Sequence, residues 1–218
     1  MLPLVVLMRI VVIGCEYAGK STFLEKVLEW GRARYIHFHV DDHFTIPDAS
    51  LTDEDRDIYV TLPPMIKERY QRFQIWYHVR LLNTFDDMVA VGFHIEEVIY
   101  DPLYFHFTPH INPREVEASL PSDTILLLLR ASPDAIRNRM ERHPHKYNVI
   151  QTADIPEVLA KFETEYQHSL IPRKIAIDTT TLTPDEVLAA FISSVLSLPW
   201  RTISEKDLLR IFVSRDLA

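Results

Sequence analysis

Apolar residues in this chain fall into short continuous runs, separated by longer stretches where they recur every three or four positions. The runs at 4–13, 35–40, 95–100, 124–130 and 174–178 predict strands. Runs such as Val11-Val12-Ile13 and Ile125-Leu126-Leu127-Leu128-Leu129 are unbroken, not alternating. That pattern marks strands covered on both faces, as in a parallel sheet. Helical spacing predicts helices over 20–30, 64–89, 133–142, 156–171 and 184–198. Strands alternating with helices predict crossover units, hence an α/β fold: an open five-stranded parallel sheet between helical layers. Two helix starts are signalled directly. Ser132 precedes Pro133, and Thr183 precedes Pro184 with Glu186 placed to complete a capping box. A further amphipathic stretch, 205–213, lies in a C-terminal extension over 200–218.

The first apolar run could be taken for a leader. Arg9 interrupts it and no small-residue cleavage site follows, so it reads as a buried strand, with Met8 an equally good start. No run is long enough to predict a membrane-spanning helix. The length, 218 residues, suits one α/β domain with a substantial core. A single cysteine, Cys15, rules out an internal disulfide framework and fits a reducing, cytoplasmic setting. The net charge of -8 argues against a broad nucleic-acid-binding surface, which needs a basic face. Local positive charge can still serve an anionic ligand.

Such a place follows the first strand: Gly14-Cys15-Glu16-Tyr17-Ala18-Gly19-Lys20-Ser21. It has the P-loop spacing of glycine, four residues, glycine, lysine and a hydroxyl residue. Glycines let the backbone fold back so that successive N–H groups converge on one anion. The helix that follows adds the positive end of its dipole. On this reading residues 14 and 16–22 (Gly14, Glu16, Tyr17, Ala18, Gly19, Lys20, Ser21, Thr22) cradle the phosphates of ATP or GTP. Lys20 reaches the β- and γ-phosphates, and Ser21 ligates Mg²⁺. Cys15 reads as a spacer.

With this motif in place, the chain resembles the P-loop kinases of nucleosides, nucleotides and other small metabolites, of the uridine kinase and thymidylate kinase kind. The resemblance runs from the first strand to the helix after Thr183. It implies ATP and Mg²⁺ as cofactors, a small-molecule acceptor with a nucleoside or nucleotide as the leading reading, and a homodimer as a possible assembly. The element Asp41-Asp42-His43-Phe44 matches an Asp-x-Phe segment in which the acid faces the γ-phosphate. This implies Asp42 as the base for an acceptor hydroxyl, with Asp41 the alternative. Asp101, at the end of the third predicted strand, matches an acid that holds Mg²⁺ through water; Pro102 stands where these kinases often carry arginine. The basic stretch from Arg130 through Arg137, Arg139, Arg142 and Lys146 matches an arginine-rich lid, here 137–152. Arg139 and Arg142 are favoured as clamps on the transferring phosphoryl group. The aromatic segment 48–92, with Tyr70, Phe73 and Tyr77 on one helical stripe, matches the acceptor region. Arg69 and Arg72 there would suit a nucleotide acceptor. The blander alternatives are a solvated acidic turn at Asp42, a turn-initiating Asp-Pro at Asp101, a solvated basic helix face, and aromatic core packing. A switch GTPase is disfavoured, since neither Asp-x-x-Gly nor Asn-Lys-x-Asp occurs. A nucleotide-binding module without kinase activity, acting through protein interaction, remains the alternative.

Overall fold

Residues 8–42, 52–105, 110–144 and 146–198 are described by the structure, a computed structural model. Its centre is a sheet of five parallel strands: β1 (Arg9–Ile13), β2 (His39–Asp42), β3 (Met88–Val91), β4 (Ile125–Arg130) and β5 (Arg173–Asp178). Their spatial order is β2-β3-β1-β4-β5. β1 is thus central, with Val11 in register with Ala90 on one side and Leu126 on the other. Every residue of β1 and β3 is buried. This explains why their sequences are continuous apolar runs. Arg9 is the exception in β1. Its guanidinium lies at the rim, bonded to Leu82 O, Asp86 and Asp123 at 2.5–2.8 Å, which satisfies the charge locally.

Helices cover both faces of the sheet. α1 (Lys20–Arg32) packs on α8 (Pro184–Ser197), with Phe23 and Phe191 edge to face at 5.0 Å. α4 (Phe93–Tyr100) packs on α7 (Ile155–His168), with Tyr100 and Phe162 5.7 Å apart. Between β2 and β3 lie α2 (Asp53–Val60) and α3 (Pro64–Thr84); α5 (Pro113–Ala118) and α6 (Pro133–Arg142) flank β4. Ser132 accepts from Ala135 N, and Thr183 with Glu186 forms the capping box its sequence announces. Thr52 and Asp55 form another at the start of α2.

The structure departs from expectation at two elements. The second strand is His39–Asp42, not 35–40. The third strand is Met88–Val91, and 95–100 is helix α4. Four residues are too few to show a period, so the helical pattern before them seemed to run on to 89. In 95–100 every residue except Val98 is buried, and a helix enclosed on all sides reads like an enclosed strand. The junction turns sharply, with Gly92 at φ 85° and Phe93 at φ 60°, both left-handed. Asp101 therefore does not end a strand. It opens a π-helical turn, Asp101–Phe105, after α4.

Among the described residues no helix is long and apolar enough to cross a membrane. Residues 4–7 of the first predicted strand, His43, Phe44, the start of the aromatic segment at 48–51, His106, His145 and the extension 200–218 lie outside the described residues.

Candidate functional site: a phosphate cradle beside an acidic pocket

The loop after β1 sits at the carboxyl ends of the strands, where open α/β sheets bind ligands. Gly14 has φ 153°, and a Cβ there would lie 2.5 Å from Leu129 O on β4, so only glycine fits. Tyr17 (φ 64°) and Gly19 (φ 100°) take left-handed conformations. The backbone thereby curls over the N-terminus of α1 instead of running past it. Strain of this kind in a non-glycine residue is characteristic of ligand-binding loops. Cys15 is buried within the turn; loss of solvation pushes its thiol up to about 12, so it packs and does not react.

Lys20 is held inside the loop. Its ammonium donates to Gly14 O at 2.5 Å and pairs with Glu96 at 2.8 Å. A buried ammonium needs such partners, and phosphate oxygens are their natural replacement. Around the loop opens a cleft of about 510 Å³, lined by residues 16–23 and by Arg139, His143, Thr179, Leu182, Pro184 and Val187. Ser21, in the first turn of α1, is exposed to it. Arg139 reaches in from α6, donating to Tyr17 O at 2.9 Å, Thr179 Oγ1 at 3.1 Å and Thr179 O at 2.5 Å. The Thr179 hydroxyl in turn lies 2.9 Å from Ala18 O. Arg139 and Thr179 thus tie the phosphate loop to the end of β5.

On the other side of the loop is a smaller pocket of about 80 Å³. Its wall includes Tyr59, Lys67, Gln71, Glu96, Glu97 and Asp101. Glu96 lines this pocket and pairs with Lys20, which lines the cleft. Gln71 donates to Asp101 at 3.1 Å. Burial pushes the Glu97 carboxyl up to about 8, against a hydrogen bond with Asp101 that lowers it. Burial also lowers Lys67. Glu16 joins the loop to the segment after α6, accepting from Val149 N at 3.1 Å and Ile150 N at 2.9 Å. Burial raises its carboxyl, and these N–H donors oppose the rise. Within the same segment Lys146 pairs with Asp57 of α2 at 2.6 Å, and the Tyr147 hydroxyl donates to Asp57 at 3.1 Å. The segment is thus fastened across both the loop and α2.

The expected residues are gathered unevenly. Gly14, Gly19, Lys20, Ser21, Thr22 and Arg139 converge on the loop and cleft. Arg142 is exposed and does not line the cleft, whereas His143 does. Asp42 is the last residue of β2, in register with Val91; Asp41 pairs with Ala90. The side chains of Asp41 and Asp42 lie outside what is described. Asp101 lines the second pocket, bonded to Gln71, and not the cleft. The aromatic stripe is at solvent: Phe73 is 69% exposed and Tyr77 46%, and neither lines the second pocket. Arg69 is exposed, and Arg72 lies 3.4 Å from Glu68. Sequence reasoning missed Glu96, Glu97, Lys67 and Gln71. Glu96 and Glu97 were hidden by the strand assigned to 95–100. Lys67 and Gln71, four apart on α3, could have been found as polar residues on its buried face.

No known family profile matches the chain, and no curated protein matches it in sequence. Solved structures do match. Thymidylate kinase from Candida albicans superposes with TM-score 0.60 at 14% identity, covering 87% of this chain and 91% of that one. Deoxyadenosine kinase from M. mycoides, with products bound, gives 0.59 at 14% identity, covering 88% and 100%. A gluconokinase from Sinorhizobium meliloti gives 0.52 at 15% identity, covering 88% and 93%. At these identities the likeness concerns architecture alone, and the architecture is that of the P-loop kinases.

Proposed function

We propose that the chain is a phosphotransferase that moves the γ-phosphate of ATP to a hydroxyl of a small molecule, with Mg²⁺. The observation that carries this is the position of Lys20 and Glu96. They form one ion pair that links Lys20 of a nucleotide-sized cleft to Glu96 of a second pocket beside it.

On this reading the N–H groups of the loop and the N-terminus of α1 hold the triphosphate. Lys20 exchanges Glu96 and Gly14 O for phosphate oxygens. Arg139 supplies positive charge from the α6 side. The nucleoside end of ATP lies against Leu182, Pro184 and Val187. Among the described residues no group of three or more His, Cys, Asp or Glu could hold a metal. This suits Mg²⁺, which is carried by phosphates, water and one or two protein oxygens, not by a protein cage. Ser21 would hold it; bound with the nucleotide, it neutralises charge on the phosphate oxygens. An acceptor oxygen forms its bond to γ-phosphorus as the bond from γ-phosphorus to the β–γ bridging oxygen breaks. ADP keeps that electron pair. The hydroxyl proton passes to a carboxylate, which we assign to Asp42 at the end of β2. The acceptor occupies the second pocket, and the arginine-rich segment 137–152 serves as the lid.

The test is a screen of hydroxyl compounds with MgATP, read by mass spectrometry for added phosphate and by ADP release. The reading predicts release that depends on the acceptor and is absent in Lys20→Ala. Nucleotide binding without transfer to any compound would favour the binding-module alternative.

A further inference from the structure

The charge of the second pocket bears on what its occupant can be. Glu96 is answered by Lys20 at 2.8 Å, and Glu16 by the N–H groups of Val149 and Ile150. The remaining charged lining is one ammonium, Lys67, facing the carboxyl groups of Glu97 and Asp101. Lys67 is 4% exposed, and its Nζ lies 4.2 Å from the Phe105 ring centroid and 5.2 Å from that of Tyr59. Rings and acids arranged in this way make a cation site. Here the chain's own lysine fills it.

No arginine lines the pocket among the described residues. A phosphomonoester brings a charge of about -1.5 to -2 and is ordinarily met by arginine forks. In this pocket it would stand beside Asp101, with only a lysine already engaged there to answer it, while Glu97, buried and protonated at neutral pH, adds no positive charge. A like charge at that range, in a buried setting, is strongly unfavourable. Size points the same way. A bound water needs roughly 10–15 Å³ on a comparable measure, so about 80 Å³ holds a handful of non-hydrogen atoms and not a whole nucleoside. Polar groups at its wall, Gln71, Glu97 and Asp101, can both donate and accept hydrogen bonds.

We propose that the acceptor is a small uncharged polyhydroxyl compound, bonded through its hydroxyls to Gln71, Glu97 and Asp101, and that phosphorylated acceptors are excluded. The inference rests on the phosphotransferase reading and narrows it. It replaces the nucleotide acceptor that Arg69 and Arg72 suggested, because those side chains do not line the pocket.

The test uses the full chain with MgATP and matched pairs of acceptors. Each pair is a small polyol and its own monophosphate: glycerol, erythritol and xylitol against their phosphates. ADP release and product mass are measured, with MgATP binding followed separately by calorimetry. At least one polyol is expected to be phosphorylated, with its monophosphate at least about tenfold slower, a gap of about 1.4 kcal/mol. The double variant Glu97→Gln, Asp101→Asn should narrow that gap. A monophosphate that matches or outruns its parent, or silence from every polyol while MgATP binds, would overturn the inference. Absence of MgATP binding would instead remove the reading beneath it.

Discussion

Replacing Glu97 by glutamine should flatten the dependence of stability on pH. Glu97 is 5% exposed, and burial raises its carboxyl from 4.5 to about 8. The folded chain therefore holds a proton that the unfolded chain gives up. The stability tied to that proton is complete below about pH 4.5. It is lost as pH rises and is gone once pH has passed about 8. At about 1.4 kcal/mol per pH unit, the ceiling between pH 5 and pH 7.5 is about 3 kcal/mol. The hydrogen bond with Asp101 and the charge of Lys67 already act within the raised value. We therefore expect a change of about 2–3 kcal/mol. Glutamine keeps the shape of the protonated acid and has nothing to lose. Urea unfolding followed by tryptophan fluorescence, at intervals between about pH 5 and pH 8, measures both slopes. The variant should lose about 2–3 kcal/mol less than the parent over that range. Parallel slopes would show that Glu97 is ionised at neutral pH. The charge count in the second pocket would then be wrong.

Arg139→Ala should lower phosphoryl transfer by roughly 10²–10³-fold, the scale for loss of one preorganised charge donor. Arg142→Ala, on the exposed side of α6, should change it little; equal losses in steady-state kinetics would restore a shared clamp. Gly14→Ala must force a Cβ against Leu129 O at 2.5 Å. It should destabilise by roughly 1–3 kcal/mol and abolish nucleotide binding, which denaturation and calorimetry would record. His94 is fully buried beside Glu117 at 3.2 Å, and burial lowers its pKa below 6.5. It takes up its proton at lower pH in the folded chain than in the unfolded chain, so stability is lost as pH falls below about 6.5. His94→Gln should flatten that acid limb in the same unfolding series; an unchanged limb would place the titration elsewhere.

The turn between β1 and α1 was legible because its pattern is local: spacing alone marks Gly14 and Gly19, both at positive φ, and Lys20, the first residue of α1. β1 and β4 were legible because continuous apolar runs are long enough to count. The acceptor side was not. β3 is four residues long, and α4 is enclosed so completely that its period carries no polar face. Taking α4 for a strand moved Asp101 toward the cleft and concealed Glu96 and Glu97. The second pocket is also assembled from α2, α3, α4 and the segment after α6, which no sequence spacing relates. Conversely, the stripe at Tyr70, Phe73 and Tyr77 was legible as a pattern, but period alone does not say whether a stripe faces core or solvent.

The central claim is that the loop from Gly14 to Ser21 holds a nucleotide's polyphosphate. Calorimetric titration of MgATP and MgGTP into the full chain, beside Lys20→Ala, tests it most directly. The account predicts saturable binding at one site per chain, strengthened by Mg²⁺ and weakened at least about tenfold by the substitution. No heat at millimolar nucleotide, or identical binding by both proteins, would contradict it.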